Sequence, residues 1–293
     1  MSSGSLFVRR PTNVVAPIRR RPTTDPKLSI VIPAMNEARN LEIVLPELPK
    51  VHEVILVDGH SVDDTIATAQ RLLPNIRVVQ QTRKGKGNAL ACGFEAVTGD
   101  IVVMFDADGS ADPAEIPAFV DALLAGADFA KGSRFMPGGS SYDITAIRKI
   151  GNFGLNGLAN ALFGTDFSDL CYGYNAFWSD VIPVLALPDV DLKVPHNAMT
   201  WGDGFEIETL LNCRVASADL KITEVASVEK LRVFGESNLS ATSDGIRVLR
   251  TMMAEWRRAA IAHRNSQLPV RSGRAPATAV VDLRSGAVDA EAV

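Results

Sequence analysis

Four times in the first 135 residues, a short apolar run rich in branched residues leads into a segment of helix length. The runs are LSIVIPA, HEVILVD, IRVVQQ and IVVMFDAD, and a fifth, ADFAKGSRF, follows the last helix. A strand that is followed by a helix and then another strand is most simply joined to it in parallel, with the helix as the crossover. The pattern therefore predicts an α/β fold of the Rossmann-like kind: a mostly parallel sheet with helices on both faces. Asn36, Asp63 and Asp112 are good helix N-caps, and Pro113 suits a first helical position. In such sheets ligands gather beyond the carboxyl ends of the strands.

The pattern changes after Phe135. MPGGSSYD reads as a loop, and ITAIRKIGNFGLNGLANALFG as a helix built from small residues. YGYNAFW reads as a strand, GFEIETLLNCRVA as a helix, LKITEVAS as a strand, and about 240–263 as a last helix. One domain is expected over residues 28–263, with a nucleotide-binding half at 28–135 and an acceptor half at 136–263. Residues 1–27 read as a basic, disordered tail, and 264–293 as a second disordered tail. Weak attraction of the first tail to anionic lipid is the alternative, at about 1 kcal/mol per basic residue.

Composition narrows the function. The net charge of −4 argues against a nucleic-acid partner. The three cysteines, Cys92, Cys171 and Cys213, have no metal-ligand or disulfide spacing, which fits a cytoplasmic protein. No apolar run reaches the roughly 18 to 20 residues of a membrane span. A peripheral position on the cytoplasmic face of the membrane is compatible with all of this.

The fourth strand ends in two acids, Asp106 and Asp108. Side chains two apart on extended backbone point to the same side. They can thus offer oxygens to one hard cation, Mg²⁺ or Mn²⁺. A calcium loop is excluded, because Ala111 and Pro117 stand where its Gly and Glu belong. FDADGS also resembles the nucleophile motif of haloacid-dehalogenase-type phosphatases, in which Asp106 would attack phosphorus. That motif normally closes a first strand, and here three strand–helix units precede it.

The other strand ends suit a nucleotide. Asn36 and Glu37 follow the first strand, and Asp58, Ser61 and Asp63 the second. A carboxylate such as Asp58 can accept from a base N–H or ribose hydroxyls, or it can simply shape the turn before Gly59. RKGKGNAL lacks the Ser or Thr of a Walker loop, yet Lys86 between glycines opens a helix whose amino end favours anions.

SIVIPAMNE, VDGHSVDDT, GKGNAL, DADGSADP and GSRF occur in the order seen in family 2 glycosyltransferases of the GT-A fold. DLCYGYNAF and RVFGESNL resemble segments of the dolichol- and polyprenyl-phosphate mannosyltransferase branch. The resemblance spans about 28–240 and implies roles. Pro33, Glu37 and Asp58 would line the nucleoside pocket. Asp106 and Asp108 would hold the metal and diphosphate, with Lys86, Arg134 and Arg232 nearby. Asp169 would sit near acceptor or sugar. Three departures stand out: Gly59, Asn175 and Asn238 replace an Asp, an Arg and a Lys.

The implied activity is inverting, metal-dependent transfer of a hexose from a nucleotide diphosphate sugar. Polyprenyl phosphate is the favoured acceptor, and a soluble hydroxyl or a polysaccharide the alternative. A phosphate acceptor is already a nucleophile, whereas a hydroxyl needs a base. Asp203 and Glu206, three apart, are the candidates for that base, with Glu208 close behind. The small-residue helix before Gly164 reads as core packing or as a membrane-interface element.

Overall fold

A computed structural model describes residues 21–22, 24–195, 199–235 and 241–266, the last segment as backbone alone at 241–244 and 263–266. The first half runs β1 (Leu28–Ala34), α1 (Ala38–Glu47), β2 (Glu53–Asp58), α2 (Thr65–Leu72), β3 (Arg77–Gln80), α3 (Lys86–Ala96), β4 (Ile101–Met104), α4 (Ile116–Leu124) and β5 (Phe129–Ser133). The second half adds β6 (Ser140–Ser141), α5 (Ala146–Phe163), β7 (Asn175–Trp178), α6 (Ile182–Leu185), α7 (Ile207–Ser217), β8 (Ile222–Ala226), β9 (Val228–Glu229) and α8 (Ala241–Ser266).

Seven strands form one sheet in the order β3-β2-β1-β4-β7-β5-β8, and β6 pairs with β9 separately. All neighbours are parallel except β7, which runs antiparallel between β4 and β5. Strand order reverses between β1 and β4, which pair from Leu28↔Ile101 to Val31↔Met104. That reversal makes the crevice where α/β sheets take their ligands. α1 and α2 pack together, while α3 crosses β1, β2 and β3. Right-handed crossovers put α3 on the opposite face from α1 and α2. The central strands are buried on both sides, which is why they read as unbroken apolar runs.

Two helix starts differ from the sequence reading. Asn36 does not cap α1; it takes the left-handed region at φ 61°, which Asn tolerates better than most residues. Its Oδ1 accepts from the Val62 N–H at 2.8 Å and its N–H donates to Ser61 Oγ at 2.9 Å. Asp63 then serves both helices, accepting from the Ala38 N–H at 3.2 Å and the Thr65 N–H at 3.0 Å. The loops after β1 and β2 are thereby locked to one another. Asp112 caps as expected, accepting from the Ala114 N–H at 3.0 Å.

Part of the expected leader, 1–27, is described: residues 21–22 and 24–27. Arg21 is docked, its guanidinium bonded to Asp180 at 2.8 and 3.0 Å, paired with Asp128 and lying 5.4 Å from the Trp178 ring centre. Helix α8 also runs to Ser266 rather than stopping at 263. Residues 1–20 and 267–293, the bulk of the two expected tails, lie outside the described residues, as does Asn238.

Candidate active site

Strand ends β1 and β4 bring the acids together. Asp108 sits in the turn after β4, where Gly109 takes φ 79° and lets the chain reverse. Its Oδ1 accepts from the Ser110 N–H at 2.9 Å and its Oδ2 pairs with Arg232 at 2.8 Å. Arg232 also lies 3.9 Å from Glu37, the residue just before α1. Asp106 holds Lys86, with Nζ at 2.8 and 3.0 Å from its two oxygens. The same ammonium is 2.7 Å from Glu208. Six side chains from five chain segments thus meet, four acids around two cations: Glu37, Arg232, Asp108, Asp106, Lys86 and Glu208.

Desolvation shapes their protonation. It drives the Asp106 pKa upward; Lys86 opposes this, and Asp108 and Glu208 add to it by repulsion. Glu37 is raised for the same first reason, with Asn40 and Arg232 opposing. Burial would lower Lys86, but its two carboxylates outweigh that and hold it protonated.

One wall of the site is a loop from the second half. The Lys230 N–H donates to the Ser110 carbonyl at 2.8 Å and the Val233 N–H to the Asp108 carbonyl at 3.2 Å. Asn40 clips the next residue from the other side. Its Oδ1 accepts from the Phe234 N–H at 3.0 Å, and its Nδ2 donates to the Phe234 carbonyl at 3.3 Å and to Glu37. Asn40 is 4% exposed, so both halves of its amide are satisfied where water is scarce.

Other expected residues are engaged elsewhere. Pro33 and Asp58 lie at the ends of β1 and β2, and the Asp58 carboxylate accepts from the Ser61 N–H at 3.1 Å and Gln80 Nε2 at 3.0 Å. Asp58 therefore shapes the turn after β2. Arg134 forks onto Asp169 at 2.7 and 2.9 Å, and onto Glu229 at 3.0 Å. Asp169 is fully buried and also receives Asn152 Nδ2 at 3.1 Å.

Asp203 and Glu206 do not face the cleft together. The expectation that residues three apart share a face holds only inside a helix, and α7 begins at Ile207. Asp203 is 1% exposed and takes the fork of Arg83 at 2.8 and 2.9 Å. Burial would raise its pKa, but Arg83 and Thr200 donate enough to hold it below the ordinary carboxylate range. Glu206 accepts from the Gly202 and Gly204 N–H groups at 3.0 and 3.2 Å, bracing its own turn.

The amino end of α3 is likewise taken. The Asp203 carbonyl accepts from the Gly87 N–H at 2.7 Å and the Asn88 N–H at 3.2 Å. The expected anion site at those N–H groups is thus filled by the chain itself. The fit is tight: a Cβ on Gly87 would stand 1.8 Å from the Gly202 carbonyl oxygen. Gly87→Ala should therefore lower the melting temperature by several degrees, at about 2–4 °C per kcal/mol for a domain of this size. Calorimetry checks this.

Residues 29–183 match the profile described as Glycosyl transferase family 2. The chain is 31% identical over 252 residues to a polyprenol monophosphomannose synthase of Mycolicibacterium smegmatis, covering 82% of this chain and 89% of that one.

The chain belongs to glycosyltransferase family 2.

An undecaprenyl-phosphate mannosyltransferase of Micrococcus luteus is 30% identical to this glycosyltransferase, over 72% of this chain and 86% of that one. The fold matches glucosyl-3-phosphoglycerate synthase from Mycobacterium tuberculosis, solved with Mn²⁺, uridine diphosphate and phosphoglyceric acid. The TM-score is 0.60 and the identity 22%, over 79% and 78% of the two chains. The sheet of this glycosyltransferase is accordingly of the GT-A type, and the phosphatase reading of Asp106 is set aside.

The glycosyltransferase has donors suited to a divalent ion shared with a nucleotide. Among the described residues no cluster of three His, Cys, Asp or Glu side chains could hold a metal alone. Two carboxylates with substrate phosphates are what Mg²⁺ ordinarily uses, because it retains water and needs few protein ligands. Asp106 and Asp108 could supply those two; in this structure they pair with Lys86 and Arg232 at 2.8 Å.

Proposed function

We propose that this glycosyltransferase moves a hexose from a nucleotide diphosphate sugar to a polyprenyl phosphate, with inversion at the anomeric carbon. The observation that carries the acceptor class is the engagement of Asp203 with Arg83 and of Glu206 with its own turn. Asp203 is thereby withheld from a hydroxyl, and one Glu206 oxygen is committed to its own turn. A phosphate acceptor needs no base. Relatives named for mannose transfer to polyprenyl carriers support the same choice.

In this reading Pro33, Glu37 and Asp58 border the nucleoside. Mg²⁺ or Mn²⁺ on Asp106 and Asp108 would add Lewis-acid neutralisation of the diphosphate. A phosphate oxygen of the acceptor bonds to the anomeric carbon as the bond to the diphosphate oxygen breaks, and that electron pair leaves with the nucleoside diphosphate. Lys86 and Arg232 meet the charge that develops there. Arg134 and Asp169 form the wall behind, toward the acceptor.

Full-length protein with Mn²⁺, a panel of UDP-, GDP- and dTDP-hexoses and a short-chain prenyl phosphate should yield a glycosyl phosphodiester and free nucleoside diphosphate. Transfer only to hydroxyl acceptors would sink the proposal. Glu208 gives a second readout, because it shares the Lys86 ammonium with Asp106 and is thus the candidate carboxylate held beside the β4 end. With a phosphate acceptor, Glu208→Gln should lower kcat by about tenfold or less, within the range of one lost charge-assisted bond. Glu206→Gln should be milder still, since an amide oxygen keeps both turn contacts. A loss of several orders of magnitude in Glu208→Gln would mark a base.

A further inference from the structure

Helix α5 is built inside out. Its inner face carries Asn152, Asn156 and Asn160, which bond to Asp169, to the Ser168 carbonyl and Leu170 N–H, and to Phe167. At 100° per residue the arc that runs from Phe153 round to Gly151 holds Ala146, Ile147, Ile150, Gly151, Phe153, Gly154, Gly157 and Ala161, with no polar residue among them. Ile147 and Ile150 are each 74% exposed, Phe153 is 81% exposed, and Tyr142 just ahead is 70% exposed. Open space surrounds Gly151, Gly154 and Gly157 where a Cβ would stand. A continuous apolar face of this kind marks an interaction surface.

Charge identifies the partner. α5 packs on α8 through Leu155, Leu158 and Leu162 against Val248, Met252 and Trp256. The outer stripe of α8 alternates Ile246, Arg250, Met253, Arg257 and Ile261. Residues 146–163 and 245–262 hold six Lys or Arg and one acid, Glu255, which is 2% exposed and bonded to Arg214. This local excess of positive charge stands in a chain whose net charge is −4. Outward apolar side chains interleaved with arginines are what an anionic lipid interface receives.

We propose that α5 and α8 form the surface on which the protein rests against an anionic bilayer, α5 lying in the interface. The choice of lipid rests in part on the lipid-phosphate acceptor proposed above. The position suits it: the inner face of α5 is bonded through Asn152 to Asp169, the partner of Arg134 just beyond the end of β5. Among the described residues no helix is long and apolar enough to cross a membrane, so contact would be in the plane of the surface.

Co-sedimentation of the full chain with vesicles tests this. It should bind phosphatidylcholine vesicles containing phosphatidylglycerol, and bind pure phosphatidylcholine more weakly. Ile150→Ser with Phe153→Ser should weaken binding by roughly tenfold or more. Arg250→Ala and Arg257→Ala should each cost roughly fivefold, and less at high salt. All four substitutions should leave transfer to a water-soluble prenyl phosphate unchanged. Failure of the wild type to bind anionic vesicles would overturn the proposal. So would a wild-type dimer that the Phe153→Ser variant dissociates, which would make the face a subunit contact. Vesicle binding without transfer to any prenyl phosphate would support the surface and remove the acceptor reading instead.

Discussion

Asp108→Ala should lower sugar transfer by about a thousandfold while the protein stays folded. Several kcal/mol of transition-state stabilisation come from a metal on a departing diphosphate, and about 4 kcal/mol corresponds to that factor. The substitution removes one of two carboxylates at the β4 end and the partner of Arg232. Its structural cost is small: the Ser110 N–H loses one hydrogen bond, at about 1 kcal/mol, and the half-buried Arg232 keeps Glu37 at 3.9 Å. Transfer assayed over a Mn²⁺ titration, together with a thermal melt, separates the two effects. Unchanged turnover at all Mn²⁺ concentrations would remove Asp108 from the proposed metal site.

Asp203→Ala should do the reverse, costing about 3–5 kcal/mol of stability by stranding the Arg83 guanidinium, which is 3% exposed. A double replacement, Arg83→Met with Asp203→Leu, should recover much of that loss, since no charge is left unpaired. Denaturant unfolding of the three variants measures both. A pH dependence follows as well. The folded pKa of Asp203 lies below its ordinary value of 3.8. Its contribution is therefore complete above that value and is lost as pH falls through the lower folded value. Glu255, also held low by Arg214 and Trp201 against the effect of burial, acts in the same direction. Acid unfolding below about pH 4 should be shallower in the Arg83→Met, Asp203→Leu protein.

The two acids illustrate what a sequence conveys. Asp106 and Asp108 stand out because periodicity places them at a strand end, and a strand end in a parallel sheet is where ligands bind. Their importance is local and therefore legible. Asp203 also looked available, yet its role depends on Arg83, 120 residues away. No pattern within a segment reports such a partner. Arg134 is similar: GSRF closes β5 as expected, but Asp169 and Glu229 come from later strands and loops. Asn40 escaped attention because it lies on a helix where Asn is ordinary, and Glu208, named beside Asp203 and Glu206, gave no sign of its contact with Lys86. The antiparallel course of β7 was likewise unreadable, since a four-residue apolar strand looks the same in either direction.

Asn40 carries a further consequence. A single amide holds both the Glu37 carboxylate and the peptide of Phe234, which lies 194 residues further along the chain. Two residues before Phe234 is Arg232, the cation on Asp108. Swinging that loop outward would therefore withdraw Arg232, uncouple Glu37 and widen the cleft in one motion. The position of this loop and the balance of charge around Asp108 and Glu37 are therefore tied to the same few contacts.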